Sequence, residues 1–247
     1  MYNLAISIGA GVLITVALWL SGLLSAGEAA VPGVLVVVIT YFVLARRSFK
    51  QMEQVFARAM KSLQAMPPKM DLAIATLEDA RPSGRWQFGV ESQIDSQIGM
   101  IFYLQQKFDK ALPYFERSLS FGHWMSGAML GVIHYKKKNH AEMKRVFEIV
   151  VKKAKKAGLA WNLYAYLLLQ VGERDAAQAL LVRALKKTDD DPRVKEALLA
   201  VQNGKKIKMK SYKDQWYQFH LERPPMQYQM AAAGGMGKVS KKMRRGR

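Results

Sequence analysis

A fixed spacing of small and bulky residues constrains the fold of this chain more than any other feature. The pattern consists of a small residue, an Ala or Met twelve positions later, and a bulky apolar residue four positions after that. It occurs three times, at successive shifts of 32 and 34 residues: Gly99, Ala111 and Phe115, then Gly131, Met143 and Phe147, then Ala165, Ala177 and Leu181. Self-similarity of this period is typical of a helical solenoid. Each unit predicts two short helices, because a small residue on the first lets the second pack closely. An irregular helical bundle is the alternative.

The same stretch carries a family resemblance. The matching residues are Ile98-Gly99, Phe102, Ala111, Phe115 and Leu119 in the first unit, Leu130-Gly131, Phe147 and Val151 in the second, and residues 172–185 in the third. At these residues the chain resembles the tetratricopeptide repeat family. It departs from the family pattern at His134, where Tyr is usual, at Met143, where a small Ala is usual, and at Pro192, since the closing Pro comes late. Ala73, Leu77 and Ala80 suggest a degenerate earlier unit.

The beginning of the chain is apolar and almost free of charge. All 38 Lys and Arg residues follow Ala45, and Glu28 is the only acid before it. The apolar run 4–24 is long enough to cross a bilayer, and the shorter run 31–45 reaches that length with its flanking residues. Small residues at 25–30 and the pair Pro32-Gly33 indicate a tight connection. We therefore predict a transmembrane helical hairpin with Glu28 at its tip.

The charges that follow the hairpin predict its orientation. Arg46, Arg47 and Lys50 come directly after the second run, and positive charge beside a membrane helix is retained in the cytoplasm. We expect a multi-pass protein of a bacterial inner membrane, with two spans and with the repeats and both termini in the cytoplasm. A cleaved signal peptide is the alternative for the first run, although the charged segment that begins such peptides is missing.

The rest of the chain divides by composition. We predict a transmembrane hairpin over 1–47, connecting helices over 48–91, repeats with a final capping helix over 92–204, and a basic, partly disordered tail over 205–247. The prolines at 67 and 68 end the helix that continues from the membrane, because neither can donate a backbone hydrogen bond. The residues from Asp189 to Pro192 predict the start of a capping helix over 193–203, and Asn203-Gly204 ends it.

Residues that carry catalytic or metal chemistry are scarce. The four His residues lack the spacing of zinc ligands, and the chain has no Cys. Gly235, Gly237 and Lys238 lack the spacing of a phosphate-binding loop. We therefore expect no enzymatic activity, no catalytic residues, no metal and no cofactor.

The family resemblance implies a binding function instead. In such arrays the first helices line a concave groove for a protein partner, either a peptide or a helix. Placed on that pattern, the groove residues are Gln93, Ser96, Met100, Tyr103, Met125, Ala128, Val132, Tyr135, Asn162, Tyr166 and Leu169. The Lys and Asn clamp by which some relatives bind a terminal carboxylate is not matched here. Inter-repeat core packing is the alternative role for each of these side chains.

Charge suggests a second class of function. The formal net charge is +19, and basic clusters lie at 136–138, 152–153 and 155–156. The end of the tail concentrates six cations without an acid: Lys238, Lys241, Lys242, Arg244, Arg245 and Arg247. Such clusters attract anionic lipid or nucleic acid, and a merely solubilising tail is the alternative. We therefore expect a membrane-anchored scaffold that binds a protein partner, with nucleic-acid or anionic-lipid binding as the competing interpretation.

Overall fold

Every regular element that the structure describes is helical, which confirms the predicted all-α class. The structure is a computed structural model and describes residues 1–223 and residue 225. The α-helices are α1 (Tyr2–Leu20), α2 (Ala26–Gln64), α3 (Met70–Asp79), α4 (Val90–Leu104), α5 (Phe108–Ser118), α6 (Trp124–Lys136), α7 (His140–Lys153), α8 (Gly158–Gln170), α9 (Arg174–Leu185), α10 (Pro192–Gln202) and α11 (Asp214–Tyr217). Short 3₁₀ helices span Arg81–Arg85 and Met209–Tyr212.

The chain forms two compact units, Met1–Lys153 and Ala154–Arg247. The first unit contains α1 to α7, and the second contains α8 to α11. Within the first unit, α1 packs on α2, α2 on α3, α4 on α5 and α6 on α7. Within the second unit, α8 packs on α9 and α10 packs on both. Consecutive helices are therefore paired along the chain.

The predicted hairpin is present, but its tip differs from the prediction. The connection was placed at 25–33, whereas α2 already begins at Ala26, so that Glu28 and Pro32 lie inside the helix. A capping box explains the early start: both the backbone N–H and the hydroxyl of Ser25 donate to the Glu28 carboxylate, at 2.9 and 2.6 Å. Pro32 removes one backbone hydrogen bond from the second turn without ending the helix.

Small side chains bring α1 and α2 together. Ser7 and Gly11 are buried on α1, and a Cβ at Gly11 would lie 2.7 Å from the carbonyl oxygen of Gly33 on α2. Gly9 faces open space instead. The small residues Ser7 and Gly11 therefore form the contact with α2.

The three central helix pairs repeat with the period seen in the sequence. The second helices begin at Phe108, His140 and Arg174, which are separated by 32 and 34 residues. Their preceding helices end at Leu104, Lys136 and Gln170, separated by the same two intervals. The sequence period is thus a structural period of one helix pair.

An aromatic ring packed on a glycine closes each of the first two pairs. A Cβ at Gly99 would lie 2.6 Å from the Phe115 ring, and one at Gly131 would overlap the Phe147 ring. Both rings are fully buried. In the third pair, Ala165 and Leu181 occupy the corresponding positions and are also fully buried. The alternation of small and bulky residues is therefore a packing requirement of the helix pair.

The turns inside the pairs repeat as well. Gln106, Lys138 and Gly172 have φ angles of 58, 58 and 85°, and they follow the helix ends at the same spacing. In the first turn, the N–H of Lys107 donates to the carbonyl of Phe102 at 2.9 Å, which is the long bond of a Schellman motif. The left-handed conformation strains a residue with a side chain, and only Gly172 avoids that strain.

The helix α3 contains Ala73 and Leu77 of the suggested degenerate unit, whereas Ala80 follows its last residue. Ala73 and Leu77 lie three and seven positions after its first residue, as Ala111 and Phe115 do in α5, and both are buried. They share a core with Met52 on the second half of α2. The long helix therefore takes part in helical packing beyond the apolar hairpin.

The second unit ends its helices as the sequence predicts. Asp191 caps α10, since its carboxylate accepts from the N–H of Arg193 at 2.8 Å, and Pro192 is the first helical residue. Gly204 follows the helix with a φ angle of 71°. These features confirm both predicted ends of the capping helix.

Replacement of Gly131 by Leu tests the packing of the helix pairs. We expect Gly131→Leu to lower the free energy of unfolding by about 1 to 3 kcal/mol, because the new side chain overlaps the buried Phe147 ring. Thermal unfolding of the full chain in detergent measures the effect. Ala141→Leu, at an exposed position of α7, is the matched control. Equal unfolding of the two variants would contradict the proposed role of the glycine.

Candidate functional site

The predicted groove residues of the first unit divide into buried and partly exposed side chains. Gln93, Met100 and Tyr135 are partly exposed. The other five are buried: Ser96, Tyr103, Met125, Ala128 and Val132. A buried side chain offers little surface to a partner, so the accessible part of this face is smaller than the sequence pattern implies.

Tyr103 illustrates why a groove position becomes core. Its ring lies 5.0 Å from that of Phe108 and 6.0 Å from that of Phe115, both on α5. Burial raises the pKa of its hydroxyl well above the ordinary value. This side chain therefore packs inside its own helix pair.

The predicted groove residues of the second unit lie beneath a later segment of the same chain. The Nδ2 of Asn162 donates to the hydroxyl of Tyr212 at 3.0 Å. The ring of Tyr166 meets that of Trp216 edge to face, with a centroid distance of 5.0 Å. Asn162 is buried, whereas Tyr166 and Leu169 remain partly exposed. The chain itself thus occupies part of the face of α8 that we assigned to a partner.

We call the part of the chain that covers α8 the covering segment, residues 207–219. It contributes five buried apolar or aromatic side chains: Ile207, Met209, Tyr212, Trp216 and Phe219. Trp216 is fully buried, and its indole N–H donates to the Glu222 carboxylate at 3.2 Å. The guanidinium of Arg193 lies over the Tyr212 ring at 4.9 Å. Aromatic burial on this scale attaches this part of the predicted tail to the helices of the second unit.

A basic cavity of about 460 Å³ lies next to the covering segment, within the second unit. Its lining residues are Tyr166, Leu169, Gln170, Gly172, Arg174, Gly204, Lys205, Lys206 and Ile207. The lining contains three cations and no acidic residue. We call it the basic cavity. The cavity places two predicted groove residues, Tyr166 and Leu169, beside three cations that the repeat pattern did not include.

The three cations of the cavity come from two parts of the chain. Arg174 is the first residue of α9, and its Nη1 donates to the carbonyl of Val201 on α10 at 3.2 Å. Lys205 and Lys206 follow the left-handed Gly204, which turns the chain back toward the α8–α9 turn. A Lys pair after a helix-capping glycine is visible in the sequence, but its position beside Tyr166 depends on the tertiary fold.

An ion cluster around the buried Asp95 in the first unit was not predicted. Asp95 is 3% exposed, and its carboxylate accepts from Arg81 and from Arg117, each at 3.0 Å. Arg81 also donates to Glu78, and this hydrogen bond is the main cause of the lowered pKa of the Glu78 carboxyl. The cluster connects the segment before α4 to α4 and α5. Because its charges are paired, it suits structural support rather than proton transfer.

The basic clusters of the sequence are partly engaged by local contacts. Lys137 forms an ion pair with Asp109 at 2.7 Å, and Lys156 forms one with Asp189 at 3.1 Å. Lys153 donates to the carbonyls of Leu119 and Gly122, and burial lowers the pKa of its amine. The six cations predicted for the tail, residues 238–247, lie outside the described residues.

Comparisons with protein-family models, curated proteins and solved structures gave no match. The described structure shows an all-helical protein with paired helices, and it assigns no family. The similarity to tetratricopeptide repeats therefore stays an interpretation of the residue pattern. The function has to be argued from the contacts themselves.

Removal of the Trp216 side chain tests the attachment of the covering segment. Truncation of a buried Trp costs about 3 to 5 kcal/mol, so we expect Trp216→Ala to release the segment by local unfolding. Limited trypsin digestion should then cut faster after Lys208, Lys210 and Lys213, as mass spectrometry of the fragments will show. Gln215→Ala, at an exposed neighbouring position, is the control. Unchanged cleavage in the Trp216 variant would contradict the assignment.

Proposed function

We propose that this protein is a membrane-anchored helical-repeat scaffold that binds a protein partner on the cytoplasmic side of a bacterial inner membrane. Its role in this proposal is binding rather than catalysis. The proposal has two parts: the membrane anchor and the surface that receives the partner. Each part rests on its own set of contacts.

The surface of the hairpin supports the membrane anchor. Only 17% of the most apolar window of α1 and 11% of that of α2 are buried within the protein. Leu13 and Leu20 on α1 are 72% and 73% exposed, whereas the buried positions are small or polar. Exposed apolar surface on this scale is unfavourable in water, and small residues between helices are typical of membrane packing. A bilayer provides the missing apolar environment.

The length of α2 supports an anchor that continues into the cytoplasm. Its 39 residues correspond to about 58 Å, roughly twice the thickness of the hydrocarbon core of a bilayer. The first cations, Arg46 and Arg47, come near the middle of the helix. Residues beyond Arg47 would therefore project into the cytoplasm and carry the helix pairs with them.

A reporter fused after Arg247 tests the topology. We expect a reporter that functions only in the cytoplasm to be active, because the first cations after the hairpin retain that side inside. A Cys introduced at Leu23, which is 74% exposed in the α1–α2 connection, should react with a membrane-impermeant maleimide in intact spheroplasts. Since the chain has no other Cys, the label reports that position alone. Activity of a periplasm-dependent reporter at Arg247 would contradict this topology.

The basic cavity supports a particular kind of partner. Tyr166 and Leu169 provide apolar surface, and Arg174, Lys205 and Lys206 surround it with positive charge. A segment with apolar and acidic side chains would bury its apolar groups against the first pair of residues and set its carboxylates beside the cations. This juxtaposition is the observation on which the scaffold proposal rests. The proposed partner segment is therefore acidic and amphipathic.

Crosslinking at Leu169 tests the partner surface. A photo-reactive phenylalanine analogue at Leu169 should capture the partner in living cells, and peptide mapping of the adduct should identify an acidic segment. We expect the double change Lys205→Glu and Lys206→Glu to reduce the adduct about tenfold or more, because it places like charges opposite the partner.

The adjacent pair Lys186 and Lys187 provides the matched control. Both are exposed in the second unit and lie outside the basic cavity. Charge reversal at these two residues changes the net charge equally and should leave the adduct intact. An equal loss in both double variants would indicate nonspecific attraction and would contradict a specific surface.

Binding of nucleic acid or anionic lipid through the basic clusters is the second candidate function. Lys138, Lys152 and Lys155 are exposed, which favours it. The ion pairs of Lys137 and Lys156 offset part of the charge that these clusters present, and the amine of Lys153 is engaged by backbone carbonyls. The two functions differ in their salt dependence, because phosphate binding weakens steeply with salt whereas apolar contacts persist.

A further inference from the structure

A second cavity lies in the first unit, where the hairpin meets the rest of that unit. Its volume is about 330 Å³. The residues that line it are Asn3, Leu44, Arg47, Ser48, Gln51, Met52, Ser83 and Trp86. They come from the beginning of α1, the middle of α2 and the loop before α4. We call it the junction cavity.

The walls of the junction cavity are held by a polar network. The Nδ2 of Asn3 donates to the hydroxyl of Ser48 at 2.9 Å and to the Oε1 of Gln87 at 3.1 Å. Gln87 in turn donates to the hydroxyl of Tyr41 at 3.0 Å. The N–H of Asn3 donates to the carbonyl of Trp86 at 3.2 Å. Three separate parts of the chain are thus fixed around the cavity.

The position of the cavity along the hairpin corresponds to the cytoplasmic headgroup region of the proposed membrane. The chain carries no Lys or Arg before Arg46, and the cavity wall contains the next residue, Arg47. Asn3 lies at the same level, since it contacts Ser48 directly. The rings of Tyr2 and Trp86 meet edge to face at 5.2 Å, and aromatic residues of this kind concentrate at membrane interfaces.

The chemistry of the lining favours an anion with an apolar extension. Arg47 contributes a guanidinium, and Ser48, Ser83 and Gln51 contribute hydroxyl and amide groups that can donate hydrogen bonds. No acidic residue lines the cavity. Leu44 and Met52 add apolar surface beside these donors. Arginine is well suited to phosphate oxygens because its planar group donates two parallel hydrogen bonds.

We propose that the junction cavity binds the phosphate group of an anionic phospholipid from the cytoplasmic leaflet. Arg47 and the Ser83 hydroxyl contact the phosphate oxygens, and Leu44 contacts the beginning of an acyl chain. The lining contains the cation of Arg47 and no acidic residue, which favours a headgroup of net negative charge over a zwitterionic one. This inference rests on the membrane anchor in the proposed function, but it does not depend on the protein partner.

Two adjacent arginines provide the test. Arg46 and Arg47 are both exposed and equal in charge, but only Arg47 lines the cavity. The full chain is purified in detergent, and the binding of phosphatidylglycerol and phosphatidylcholine is measured by native mass spectrometry. We expect Arg47→Gln to weaken phosphatidylglycerol binding about tenfold, as the loss of a charged hydrogen bond implies, and Arg46→Gln to leave it nearly unchanged. Ser83→Ala should weaken binding to a smaller extent.

The remaining outcomes overturn the assignment. Equal losses in the Arg46 and Arg47 variants would indicate diffuse attraction to the hairpin end, and no loss in the Arg47 variant would exclude the cavity. Equal binding of phosphatidylcholine would contradict the anionic preference. Displacement of the lipid by millimolar inorganic phosphate would assign the cavity to a soluble anion. Carbonate extraction of cell membranes separates these failures from failure of the anchor, because an anchored variant stays in the membrane fraction.

Discussion

The close approach of a second helix to a small residue on the first is the contact on which the repeated part of this structure depends. At Gly131 the ring of Phe147 occupies the space that a side chain would need, and Gly99 and Phe115 repeat the arrangement 32 residues earlier. This contact is local to one helix pair, because both of its residues belong to that pair. The regular turns follow, since helices this close require a short connection with a left-handed residue.

A different kind of contact connects the apolar hairpin to the remainder of the first unit. The hairpin itself is held by small residues, and its exposed surface is apolar. At its end the amide of Asn3 reaches both Ser48 and Gln87. A buried amide whose donors are satisfied fixes geometry, because any shift would leave a polar group unpaired. The network therefore fixes the beginning of α1 relative to α2 and to the segment before α4.

The predicted groove illustrates how a family pattern and a particular structure diverge. Several positions that line a groove in an idealised repeat belong to the buried core of this protein, as Tyr103 and Ala128 do. On α8 the covering segment contacts Asn162 and Tyr166. A partner at this face would bind beside that segment or replace it. Among the described residues, the basic cavity is an accessible part of this face, and its charges come from Arg174 on α9 and from Lys205 and Lys206, which lead into the segment.

The sequence alone determined the helical class, the period of the helix pairs, the apolar hairpin, the end of α2 and the ends of α10. These features depend on local information: apolar spacing, prolines, caps and small residues that recur at fixed intervals. It placed the hairpin tip wrongly, because the capping box of Ser25 and Glu28 outweighed the turn signals at Pro32 and Gly33. Even there, the decisive signal was a pair of residues three positions apart.

Only the tertiary structure decided which side chains meet across long separations. Arg81 and Arg117 converge on Asp95, the pair Lys205-Lys206 returns to Tyr166, and Asn3 meets Gln87. None of these contacts has a sequence period, since each depends on the path of the chain between distant elements. The repeat period and the helix caps therefore determined the helices and their pairing. Each cavity instead depends on tertiary packing within its own unit, because it is bounded by residues that share no local sequence signal.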